Sequence, residues 1–276
     1  MKKKFILFLC ICFGLSLLGA GLFYFLGGTY KSIVGTLFAS GYMFLPLISV
    51  LLTQLLCGEI PFSDCGISFK INRWWFVAWL GFMIWPVLAV LVSALMPGVD
   101  ITLKSDLMQQ SINSLSASGI TVGPWGVIIF TLVSGLITGA TINAVFAFGE
   151  EVAWRGFLVR VLGDLGFWRK SLLIGFIWGL WHAPLILMGH NYPEHPVAGV
   201  FMMIAFCMLL TPVMLYLRER SRSVVAAAVA HGTLNAVAGL SAVLLTVNNE
   251  LLCGACGLAG MIVLLIIDIV IRSVRV

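Results

Sequence analysis

Runs of about twenty apolar residues recur along the whole chain, a pattern that only a lipid bilayer accommodates. They are residues 5–25, 32–56, 74–95, 125–149 and beyond, 171–188, 200–217, 224–247 and 251–271. In hydrocarbon every backbone polar group must be satisfied within the segment, so each run is predicted to be a helix. The expected fold is therefore all-α, a polytopic membrane bundle of about eight transmembrane helices. Of the 276 residues 61% are hydrophobic and 10% charged, against about 25% charged in soluble domains. No stretch is long and polar enough for a separate soluble domain. We read one membrane domain: three spans and an extracytoplasmic loop in 1–124, four spans in 125–247, and a last helix in 248–276. The loop at 97–124 is serine-rich and long enough for a short surface helix. The first run follows three lysines but is longer than the apolar core of a signal peptide, so it is read as a retained span.

Charge placement sets the orientation. With the N-terminus inside, 14 of the 16 basic residues fall in inside segments, and only Lys31 and Lys104 fall outside. Both termini are expected to be cytoplasmic. The net charge of +5 is explained by this asymmetry, with no nucleic-acid partner. Of the seven cysteines, Cys253 and Cys256 form a CxxC, but a second pair for a zinc ribbon is absent, and lipid-buried packing is expected of them.

Against this apolar background Glu150, Glu151 and Arg155 stand out, because a charge at mid-bilayer costs about 2.5–3.5 kcal/mol on insertion scales. Glu151 and Arg155 lie at i and i+4, the order that favours an ion pair on a helix. Glu150 is turned about 100° away and is left free for chemistry. His182 lies in a later span, and His231 and Asn235 share one helix face in another. At 1.5 Å per residue from the charged boundary, His231 is ~12 Å deep, His182 ~16 Å and Glu150 ~20 Å. Three helices thus bring Glu, His, His and Asn to a similar level. Gly135 with Gly139, and Gly175 with Gly179, have the spacing that permits close helix approach.

In this order, Glu150-Glu151-x-x-x-Arg155, Trp178-x-x-x-His182 and His231-x-x-x-Asn235 resemble the CAAX-processing and bacteriocin-processing (CPBP) intramembrane protease family, which includes type II CAAX prenyl endopeptidases. The resemblance covers about 125–247, making those four spans the catalytic core, and Trp178 stands where the family usually has Phe, a packing variation. It implies a water-filled cavity open to the cytoplasm. There Glu150 and His182 would activate a water, while His231 and Asn235 would hold the oxyanion. Glu151, Arg155 and Trp178 would be supporting residues. The implied substrate is a membrane-associated peptide, lipidated or of bacteriocin type. No cofactor is favoured; the alternative is zinc held by Glu150, His182 and His231.

A transporter would also need polar groups on the outer halves of the spans, which are nearly all apolar apart from Asn143 and small hydroxyl residues. A non-catalytic scaffold would have lost at least one of the four site residues. Asp268 is expected to form an interfacial ion pair with Arg272, and His190, Glu194 and His195 to be solvated in an outer loop remote from the site.

Overall fold

The computed structural model describes residues 2–30, 32–247 and 249–275. Lys31, one of the two outer basic residues, lies outside them, as do Met1, Asn248 and Val276. The described chain is helical throughout, with one isolated β-bridge between Ile101 and Leu245. The helices are α1 (Lys2–Phe25), α2 (Ile33–Tyr42), α3 (Leu45–Leu56), α4 (Arg73–Ser93), α5 (Asp106–Ala117), α6 (Pro124–Ala140) and α7 (Ile142–Glu151). A π-helical turn at Val152–Phe157 leads into α8 (Leu158–Val161). Then come α9 (Phe167–Trp181), α10 (Ala183–Leu187), α11 (Pro196–Ser221), α12 (Val224–Val237), α13 (Leu240–Leu244) and α14 (Leu258–Val274).

Local chemistry sets these boundaries. Asn72, Ser105 and Ser223 accept backbone N–H groups at the starts of α4, α5 and α12. Proline stands in the first turn of α3, α6, α10 and α11, where its missing N–H costs nothing. The surface helix expected in the 97–124 loop is α5.

Among the described residues six helices are long and apolar enough to cross a membrane. A seventh span results if the pair 124–140 and 142–161, bent by 49°, counts as one. The expected eight is not reached, because the run at 251–271 does not start as helix. Residues 249–257 fold into turns, with Gly254 in the left-handed region at φ +77°. Only the 17 residues of α14 remain, about 26 Å at 1.5 Å per residue. Cys253 and Cys256 sit in those turns, not in a span. Asp268 forms no ion pair among the described residues: it lies on the inner face of α14, 7% exposed, with Oδ1 unpartnered, whereas Arg272 is exposed at the helix end.

The helix ends sort into two sides. On one, Lys4 and Arg160 both bind Glu59, Asn72 donates to the Ser221 carbonyl, and Arg275 pairs with Glu219. On the other, Thr246 donates to the Asp100 carbonyl, and Glu250 accepts the backbone N–H groups of Glu194 and His195. α12 is the central helix, packed against α4, α6 and α7, while α9 and α11 pair closely beside it. Small residues permit both approaches. A Cβ on Gly175 or Gly179 would lie 2.6 Å or 2.5 Å from the α11 backbone, and one on Gly139 would lie 2.6 Å from Thr233 Cα of α12.

Candidate active site

Glu150 and His182 sit at interruptions in their helices, and His231 and Asn235 sit on the continuous α12, which crosses a third interruption. At Thr141, between α6 and α7, the backbone leaves helical geometry, and the Thr141 hydroxyl bonds back to the Ile137 carbonyl at 2.6 Å. α12 crosses this break at Gly232, where a Cβ would lie 2.4 Å from the Gly139 carbonyl oxygen and 2.5 Å from the Ala144 nitrogen. That crossing sets His231 beside α7. Glu150 and Glu151 end α7, directly before the π-helical turn, a geometry often found at functional sites. His182 occupies the joint between α9 and α10, where Pro184 stops the first helix from continuing.

The two adjacent glutamates have different partners. Glu150 is 2% exposed, and its Oε2 accepts the indole N–H of Trp178 at 2.6 Å and that of Trp154 at 3.2 Å. Glu151 is fully buried, and its Oε1 accepts Arg155 Nη1 at 3.1 Å and His231 Nδ1 at 2.9 Å. The i,i+4 ion pair expected from the sequence is present. Glu151 is more than its partner, since it also fixes the His231 ring. Arg155 donates further to Thr211 at 3.3 Å and stacks 4.2 Å over the Trp178 ring. Trp178 therefore does more than pack: its indole N–H, which Phe lacks, holds Glu150.

The histidines are oriented in a matching way. His182 Nδ1 lies 2.8 Å from the Trp178 carbonyl, which can only accept, so Nδ1 carries the proton and Nε2 keeps its lone pair. In His231, Nδ1–H points at the Glu151 carboxylate, leaving Nε2 as the nitrogen available to a ligand. Glu150, His182, His231 and Asn235 all line one cavity of about 260 Å³. Asn235 is exposed within it, in contrast to His231 at 5%.

Sequence reasoning missed several contributors. Tyr42 lines the cavity and donates to the Trp181 carbonyl, and Trp181 donates to Ser16 of α1 at 2.7 Å. Thus the first spans brace the site, although nothing in their pattern marks these residues. His190, expected to be solvated and remote, lines the same cavity with its ring 5.4 Å from that of Tyr30. The cavity extends in one direction. Its lining runs from Glu150 toward His190, Asn191 and Cys256, away from the basic helix ends, because Trp154, Arg155 and Phe157 fill the other direction.

Among the described residues no three His, Cys, Asp or Glu side chains converge on a common metal position. The trio Glu150, His182 and His231 does not form such a set, and one Glu150 oxygen is already taken by two indole donors.

No curated protein matches the chain. Residues 132–237 match the family described as type II CAAX prenyl endopeptidase Rce1-like, and all four candidate residues fall within the match. Through this segment, less than half of its length, the chain is similar to the type II CAAX prenyl endopeptidase family.

Proposed function

We propose that the protein hydrolyses a peptide bond of a membrane-associated, lipidated or bacteriocin-type peptide, without a metal. The carrying observation is that one membrane-embedded cavity gathers a buried carboxylate, two histidines with Nε2 unbonded and an exposed amide.

Glu150 Oε1 is the atom left to take a proton from water, because Oε2 is held by two indoles. His182 Nε2 accepts the second water hydrogen and orients the oxygen toward the scissile carbonyl. As an imidazolium, His231 donates Nδ1–H to Glu151 and Nε2–H to the oxyanion, and the Asn235 amide is the second donor. Collapse of the tetrahedral intermediate breaks the C–N bond, and the proton held by Glu150 passes to the leaving amine. Arg155 and Glu151 keep this geometry rigid from beneath.

The test is cleavage of a farnesylated CAAX peptide by purified full-length protein in detergent, with products identified by mass spectrometry. A carboxyl-terminal fragment released at one bond supports the reading. An intact peptide, with bacteriocin-type leader peptides intact as well, contradicts it.

A further inference from the structure

A second hollow lies apart from the cavity of Glu150. It is an apolar groove of about 270 Å³ between α4, α11 and α14, and it shares no lining residue with that cavity. From α4 it is lined by Trp74, Val77, Gly81 and Trp85, which are three, four and four positions apart and so share one helix face. From Trp74 to Trp85 the helix rises about 16 Å, which matches the hydrocarbon depth of one leaflet, about 15 Å. The groove is open along its side: Val77 of α4 and Val270 of α14, which both line it, are 47% and 55% exposed. A Cβ on Gly81 would meet no atom within 4 Å, so the glycine leaves the groove its room. At the deep end Trp85 is buried and stacks on Phe206 of the cavity wall, with ring centroids 5.6 Å apart, which closes the groove off from Glu150.

The shallow end carries charge. The Arg73 and Arg220 Cζ atoms lie 5.8 Å and 5.7 Å from the centre of the same Trp74 ring, and Arg220 lies 5.1 Å from that of Tyr216. Asn72 donates to the Ser221 carbonyl at 3.0 Å, which ties the start of α4 to the end of α11 and keeps the two arginines together. Neither has an acidic partner among the described residues, and Glu219, next in sequence to Arg220, is taken by Arg275. Two exposed cations held at the mouth of an apolar groove complement an anion attached to a hydrocarbon chain. Arginine suits a phosphate, because its planar fork binds two oxygens at once. We propose that the groove is a binding site for one anionic phospholipid, with an acyl chain lying along α4 past Gly81 and the headgroup phosphate held by Arg73 and Arg220. The lipid belongs to the leaflet on the side of the basic helix ends.

The experiment is native mass spectrometry of the full-length protein released from detergent, titrated with phosphatidylglycerol or with phosphatidylcholine of the same acyl chains. Wild type is expected to retain one phosphatidylglycerol at least about tenfold more tightly than phosphatidylcholine. An arginine beside an anionic headgroup is worth about fivefold in affinity, so the double variant Arg73→Gln, Arg220→Gln is expected to bind phosphatidylglycerol about 25-fold more weakly. Gly81→Leu fills the groove and leaves both arginines in place, and it is expected to weaken both lipids about tenfold or more. Lys104→Gln, which removes an exposed charge beyond the other end of α4, is expected to bind as wild type does. Melting curves establish that each variant is folded. Equal retention of the two lipids by wild type overturns the proposal, as does a loss with Lys104→Gln as large as that of the arginine pair. Undiminished binding in Gly81→Leu also overturns it. Displacement of the phosphatidylglycerol by a farnesylated peptide would make the groove the seat of a substrate's own chain, and overturns the phospholipid as its occupant. None of these readouts uses cleavage, so the site stands or falls apart from the endopeptidase reading.

Discussion

The indole Nε1 of Trp178 donates to Glu150 Oε2 at 2.6 Å, while the face of the same ring lies 4.2 Å beneath the Arg155 guanidinium. One side chain thus spaces a free carboxylate from a paired cation inside the membrane. A hydrogen bond to a charged group is worth about 1.5–3 kcal/mol.

Trp178→Phe keeps the aromatic face over which Arg155 stacks and removes only the donor. We expect kcat to fall about ten- to hundredfold with KM and thermal stability little changed. Steady-state kinetics beside a melting curve of the same preparation separates this from a packing defect, which would lower both.

Glu151→Gln strips the carboxylate from two partners at once. Arg155 is left buried without a counter-charge, and removing one partner of a buried pair costs about 3–5 kcal/mol. The melting temperature in detergent is expected to drop sharply. At temperatures where the variant is still folded, activity is expected to stay low, because a neutral amide replaces the carboxylate against which the His231 Nδ1–H is held.

Glu59 lies outside the membrane-spanning helices and links two of them. Hydrogen bonds from Lys4 and then from Arg160 bring its carboxyl down to about 2. A lowered folded-state value means the link stabilises above the ordinary carboxylate range and is lost as pH falls through about 2. Glu59→Gln is expected to lower the melting temperature at neutral pH, and the gap to wild type is expected to close as pH falls from about 4.5 toward 2. A gap independent of pH contradicts this.

Asn235→Ala removes an exposed amide, so folding is expected to be unchanged and kcat to fall about 10²-fold or more. Chelator-stripped wild-type protein, its metal content checked by mass spectrometry, is expected to keep its activity. Full loss restored by zinc alone contradicts the metal-independent mechanism.

Much of this site was legible because charge is so costly in an apolar run. Glu150, Arg155, His182 and His231 stand out against their background, and i,i+4 spacing paired Glu151 with Arg155 correctly. Helix interruptions were not legible. The breaks at Thr141 and His182 and the π-helical turn lie inside continuous hydrophobicity, which reports burial in lipid but not backbone hydrogen bonding. Nor does a sequence show which atom of a tryptophan will be used, so Trp178 read as packing. His190 was misread because a loop position was equated with solvent, whereas this connection folds back over the cavity.

The central claim is that Glu150 is the base that activates water. Its most direct measurement is single-turnover cleavage of the peptide by Glu150→Gln, folded and monodisperse in detergent, against wild type. Glutamine preserves the side-chain length and an acceptor for the two indoles but takes no proton. The account predicts that cleavage is abolished while peptide binding persists. Turnover near that of wild type would show that another group activates the water.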